Sequence, residues 1–240
     1  DVGSLDAAIL VGFPGTIDDW FRWLDSGLNV SLAAASDSHN FHHEPGMPRT
    51  WVRSSAETPH DIDVDRVAKR LKNGEAMPSY GPIVDVDLGG VTPGQVATVT
   101  PGETFEINLR VQTASWFGVD RIEVYVSGEL QKVLNLGHSP DVIIDWDGPI
   151  ELTAPSTDGF VSVIVMGLEE RNLFGPAYLD VEFGNLQIAL IASLAFGAIP
   201  NIGSFFPQPA LRPDVFPVFP VAMTNAILLD TDGDGLWTPA

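Results

Sequence analysis

The 240-residue sequence has no cysteine, which excludes disulfides, thiolate metal sites and a cysteine nucleophile. Basic residues are nearly as scarce: 12 Lys and Arg stand against 32 Asp and Glu, a formal net charge of −20. Charged residues make up only 18 % of the chain, below the roughly 25 % usual for soluble proteins, so the sign comes from few cations rather than many acids. That balance excludes a basic nucleic-acid patch, because neutralising phosphates takes clustered Lys and Arg. Long apolar runs are lacking too. Leu186 to Phe206 comes nearest to a membrane span but is broken by Gly197, Pro200 and Asn201. About a dozen mostly apolar residues remain where ~20 are needed, so a buried core segment is expected and no membrane span. No glycine-rich dinucleotide fingerprint, phosphate loop or Gly-x-Ser-x-Gly elbow occurs. The chain opens on Asp1-Val2-Gly3-Ser4, without an initiator Met or a basic, apolar leader, and stops at Pro239-Ala240. This reads as a piece of a longer protein cut at both sides, with its compartment left open and an extracytoplasmic setting as one option. Hydrophobic content of 45 % and mean hydropathy of +0.14 exclude wholesale disorder.

What is present changes character along the chain. Residues 1–81 read as α/β. Thr16-Ile17-Asp18-Asp19 resembles a capping box, and Ile17, Trp20, Phe21 and Leu24 follow at helical spacing, with Gly27 as the stop. Leu28 to Ala35 is short and apolar and reads as a buried strand of a parallel sheet. A second helix is expected from about Val64 to Asn73, with Val64, Val67, Ala68 and Leu71 on one face. After Pro82 the period changes to two. Thr104–Val111 and Arg121–Val126 alternate strictly, and further strands fit Val96–Thr100, Val142–Trp146, Ile150–Thr153, Phe160–Met166 and Ala226–Leu229. Pro101-Gly102, Ser127-Gly128, Asp147-Gly148 and Asp158-Gly159 supply turn signals between them. The expectation is α/β plus all-β: a domain over 1–81, an antiparallel β-sandwich over 82–184, and a Pro- and Phe-rich segment over 185–240 that packs on the sandwich and ends in an Asp-rich turn.

The first chemical signal is Ser36-Asp37-Ser38-His39, which follows the expected strand. Residues two apart in extended chain share a face, so Asp37 and His39 converge at the carboxyl end of that strand, where barrel enzymes place catalytic groups. A carboxylate beside an imidazole suits Zn, Mn or Fe. His42 and His43 follow closely. The ordered series Ser36-Asp37-Ser38-His39, Pro45-Gly46-Met47-Pro48-Arg49-Thr50-Trp51-Val52, Leu71-Lys72-Asn73-Gly74-Glu75 and Ser79-Tyr80-Gly81-Pro82 resembles the last part of a PHP-superfamily metallohydrolase, closest to the carbaryl-hydrolase-like branch. That resemblance implies the C-terminal remnant of a distorted (β/α)7 barrel, with Asp37 and His39 as its last metal-ligand pair. It further implies a metal-activated water acting on a small-molecule phosphoester or related ester, and Arg49 stabilising an anionic substrate. The family's opening His-x-His is missing from the sequence, and two protein ligands do not make a tight hydrolytic centre. The fragment itself is therefore expected to be inactive.

The second signal is Asp230-Thr231-Asp232-Gly233-Asp234-Gly235, which matches the first half of a calcium loop, with oxygen ligands at positions 1, 3 and 5 and Gly at 6. Its bidentate Glu at position 12 would fall at residue 241. A Ca²⁺ site at Asp230, Asp232 and Asp234 is one expectation, and a plain Asp/Gly turn the other. The alternative function is accordingly a non-enzymatic, calcium-steadied β-sandwich module for glycan binding or surface adhesion. Trp116, Phe117, Tyr125 and Trp146 are read as core, with a sugar-binding surface as the alternative. Asp61, Asp63 and Asp65 suit a helix N-terminus, and Asp85 and Asp87 the wet face of a strand. A truncated barrel would leave sheet edges open, so a homo-oligomer is expected.

Overall fold

The computed structural model describes residues 15–36, 46, 48–137, 142–167, 175–178 and 215–239. Among these residues the protein is β-rich, with two α-helices, α1 (Thr16–Asp25) and α2 (Val64–Lys72), and thirteen strands. The strands are β1 (Arg49–Val52), β2 (Ala76–Tyr80), β3 (Ile83–Asp87), β4 (Val96–Thr98), β5 (Thr104–Gln112), β6 (Arg121–Val126), β7 (Glu129–Asn135), β8 (Ile144–Thr153), β9 (Gly159–Met166), β10 (Gly175–Tyr178), β11 (Val215–Val218), β12 (Val221–Met223) and β13 (Ile227–Asp230). Two compact units result: Asp1–Leu173 with Phe219–Ala240, and Phe174–Val218, whose described part is the antiparallel pair β10–β11. The expected boundary at Gly81-Pro82 lies inside the first unit, because β2 before it pairs with β12 near the chain's end.

Two sheets build that unit. Strands β3, β5 and β8 form one, and the other eight strands of the unit form the second. The alternation of β5 turns Ile107, Leu109 and Val111 inward, and that of β6 does the same for Ile122, Val124 and Val126. These side chains meet in one cluster with Val84, Ile150, Val163 and Leu229. The hairpin β6–β7 turns at Ser127-Gly128, both at positive φ (47° and 73°), as the two-residue turn favoured by right-handed strand twist requires.

Strand β9 is the hub of the large sheet and is buried along almost its whole length. Val161, Val163 and Val165 face the inter-sheet cluster, while Phe160 and Ile164 face a second cluster built on Trp20, Phe21 and Leu24 of α1. A strand covered on both faces reads as a continuous apolar run, as Gly159–Met166 does. Helix α1 thus forms a third layer. Its Phe21 ring lies 5.5 Å from that of Phe160 and 5.3 Å from that of Tyr125. Its cap is shifted one residue from expectation: the Gly15 amide donates to Asp18, three residues on, at 2.9 Å.

One side of β9 pairs with β6 over its length, and the other is shared. β12 takes Ile164–Met166 and β13 takes Gly159–Val161. Between them Thr224 fills the gap, its amide donating to the Val163 carbonyl and its hydroxyl accepting the Val163 amide at 3.0 Å. This break lets β12 pair onward with β2 while β13 pairs with β4, the parallel pair among the described ladders.

Several expectations change. Leu28 to Ala35 is not a buried strand of a parallel sheet: no ladder forms there, and Leu28 is 56 % exposed. Side chains hold this segment at alternate residues instead. Trp20 donates to the Val30 carbonyl, Asn225 brackets Leu32 with two bonds, and Thr50 brackets Ala34 with two more. No parallel barrel layer is present among the described residues. Val142–Trp146 and Ile150–Thr153 are not separate strands: β8 runs unbroken through Asp147-Gly148 and Pro149, tolerable because among the described residues β8 is an edge strand. Helix α2 forms as expected, capped by Asp63, but buries none of its residues, and Val64 is 73 % exposed.

Candidate metal centre

The acidic C-terminal loop meets a partner that its own sequence does not reveal. Strand β13 runs antiparallel to β9 with Leu229 opposite Gly159, so one step further the same register sets Asp230 against Asp158. Both are buried. Like charges facing each other across a ladder are unfavourable, and the structure offsets this with hydrogen bonds. One Asp158 oxygen accepts the amide and hydroxyl of Thr231 at 2.8 and 3.0 Å. Its other oxygen accepts the amide and hydroxyl of Thr238 at 2.8 and 3.5 Å. Asp230 accepts the Gly233 amide at 2.7 Å on one oxygen, and the Gly235 amide and Thr98 hydroxyl at 3.0 and 3.1 Å on the other. Gly233 and Gly235 sit at φ of +78° and +80°, the left-handed region that lets the loop turn its amides inward.

The electrostatic outcome follows from these contacts. Burial opposes ionisation of Asp158, but the Thr231 and Thr238 donors outweigh it and hold the carboxyl below the usual range. Burial likewise opposes ionisation of Asp230, and the Gly233, Gly235 and Thr98 donors again lower it. Two anions therefore persist side by side. Asp232 joins them: carboxylate oxygens of Asp158, Asp230 and Asp232 lie within 4.8 Å of one another. Asp234 is not in this group; it accepts the Leu236 amide at 2.7 Å. Trp237 closes the loop by donating its indole N–H to the Gly159 carbonyl at 2.7 Å.

The donor set is hard oxygen with a formal charge of three, which suits Ca²⁺ or Mg²⁺ and not a thiophilic metal. Both oxygens of Asp158 already accept two donors each. A cation here would use the open positions on Asp232 and Asp230, with Asp158 supplying charge.

Of the other expected site residues, Asp37 and His39 lie outside the described residues, as do His42 and His43. Arg49 stands on β1 with its guanidinium 5.6 Å from the centre of the Trp51 ring, two residues along the same strand face. Phe117 is buried, Tyr125 packs under α1 and Trp146 packs against the inter-sheet core, leaving Trp116, 61 % exposed, as the one outward aromatic of the four. Asp158 was legible only as half of a turn signal; its partnership with Asp230 depends on strand register. Compared with known protein families, curated proteins and solved structures, the chain matches none.

Proposed function

We propose that this chain is a non-enzymatic β-rich binding module steadied by Ca²⁺ at Asp158, Asp230 and Asp232. The carrying observation is the convergence of two buried carboxylates, Asp158 and Asp230, with the exposed carboxylate of Asp232 where β9 and β13 meet the Asp-x-Asp-Gly-Asp-Gly loop. A cation there neutralises a repulsion that is otherwise opposed only by hydrogen bonds, and ties the loop to the sheet. Thermal unfolding in excess Ca²⁺ against chelator tests this reading. Saturating Ca²⁺ at about 100 times Kd adds about 2.7 kcal/mol, a rise in Tm of roughly 5–10 °C for a chain of this size. Asp230→Asn and Asp232→Asn should abolish the rise, and an unchanged Tm in the wild type would reject the reading.

A second reading rests on the ordered motif series around Asp37 and His39: part of a metal-dependent ester hydrolase of the PHP type, the remaining ligands lying elsewhere in the parent. The two hydrogen bonds between Thr50 and Ala34 support it, since they hold the chain entering Asp37 against the strand that carries Arg49. Elemental analysis beside Asp37→Asn and His39→Ala is the test. Stoichiometric Zn, Mn or Fe lost in both variants supports this reading, and a parent sequence without further metal ligands rejects it.

A further inference from the structure

Half of the 12 Lys and Arg residues fall between Arg49 and Lys72. In that stretch six cations face four acids, while the rest of the chain sets six cations against 28 acids. The fold gathers three of them further. Arg53, Arg66 and Arg70 line one shallow cavity between the segment after β1 and helix α2, with Ser54 and Ser55 on its wall. Asp61 and Asp63 also border it, but each already accepts hydrogen bonds: Asp63 caps α2 through the Arg66 amide at 3.0 Å, and Asp61 accepts the Thr58 hydroxyl at 2.7 Å.

The three guanidinium groups differ in how firmly they are held. Arg70 is fixed by the Arg53 carbonyl and by Glu75, 3.5 Å away. Arg53 pairs with Asp85 in the open, its side chain 74 % exposed, the kind of surface pair that contributes little. Arg66 has no side-chain partner among the described residues, and neither has the Ser55 hydroxyl. Ser54 accepts the Ala56 amide at 3.1 Å, which leaves its own O–H to donate. One positioned guanidinium, one exchangeable, one unspent and two hydroxyl donors around a single concavity outnumber the acceptor oxygens that Asp61 and Asp63 leave open at its border.

We propose that this cavity binds a tetrahedral oxyanion, phosphate or sulfate, either free or as an ester group on a larger molecule. The planar guanidinium fork matches two oxygens of such an anion, and the hydroxyls reach the others. The site is independent of the acidic centre. Because the chain as a whole repels anions, binding rests on these short-range contacts.

Isothermal titration of the whole chain with inorganic phosphate, inorganic sulfate and phenyl phosphate tests the assignment. The expected result is saturable binding with a Kd on the order of 1 mM. Arg66→Ala and Arg53→Ala should each weaken it about tenfold or more, the loss of a charge-assisted contact. Lys69→Ala, which replaces a neighbouring cation outside the cavity wall, should leave it within about twofold. Tighter binding of phenyl phosphate than of phosphate identifies an ester as the source, and equal binding identifies the free anion. Arg66 is exposed, so its variant keeps the fold, which thermal unfolding checks. No saturable binding of any probe, or binding unchanged in Arg66→Ala, overturns the proposal.

Discussion

Asn225 makes three side-chain hydrogen bonds, to the Leu32 amide at 2.7 Å, the Leu32 carbonyl at 3.1 Å and the Ala76 carbonyl at 2.7 Å. It joins segments almost 200 positions apart in the chain, and it is itself buried. Asn225→Ala leaves those backbone groups unpaired and should cost about 2–4 kcal/mol in urea unfolding. Gly94 is as constrained for a different reason. Its φ is +86°, and an added Cβ would stand 2.3 Å from the Asn73 carbonyl oxygen, a backbone atom that cannot rotate away. Gly102, at φ +74°, has open space where its Cβ would go. Gly102→Ala should therefore cost only the backbone strain, about 1–2 kcal/mol, while Gly94→Ala should cost about 2–5 kcal/mol, both read from urea midpoints. Nothing in the sequence around these residues announces these roles. An Asn after a Thr and a Gly after a Pro read as turn residues, and their contacts come from chain that is distant in sequence.

At the scale of elements, periodicity was a good guide wherever an element keeps one wet face. β5 and β6 alternate as their sequences do, and α1 shows its apolar residues at helical spacing. The guide failed where backbone pairing is replaced or continued by other means. β2 carries Pro78 and β1 is four residues long, so neither announces a strand, yet they pair residue for residue from Arg49↔Ser79 to Val52↔Ala76. The two helices make a useful contrast. Trp20, on α1, is buried against the outer face of β9, and Trp20→Ala should lose about 3–5 kcal/mol of stability by denaturant unfolding. Val64, on α2, covers nothing, and Val64→Ala should stay within about 0.5 kcal/mol. Equal losses in both would contradict the layer arrangement described above.

For the molecule as a whole, acid is the informative variable. The hydrogen bonds they accept hold the Asp158 and Asp230 carboxyls below the usual carboxylate range in the folded chain. Their contribution is fully present above about pH 4 and is lost as pH falls through 3.8 toward the lower folded values, because the unfolded chain then takes up protons first. Protonation elsewhere relieves the repulsion of a chain with net charge −20 and works in the opposite direction. The difference between wild type and Asp158→Asn isolates the pair. In chelator, the stability gap between them should be widest near neutral pH and narrow progressively as pH falls below about 4. A gap that stays constant would show that the loss is steric, and Asp230→Asn serves as the second probe of the same window.

By itself the sequence determined that this chain is β-rich beyond Pro82, where its strands alternate, where Ser127-Gly128 turns, and that its C-terminal aspartates share a loop, since each of these depends on residues within one element. The tertiary structure alone decided that β9 is covered on both faces, that α1 belongs to the same layered unit as β12, and that Asp158 stands against Asp230. Local periodicity gives a strand its faces but not its neighbours; register between β9 and β13, which are about 70 residues apart, is chosen by which apolar faces can be buried together. The acidic centre exists only once that choice has been made.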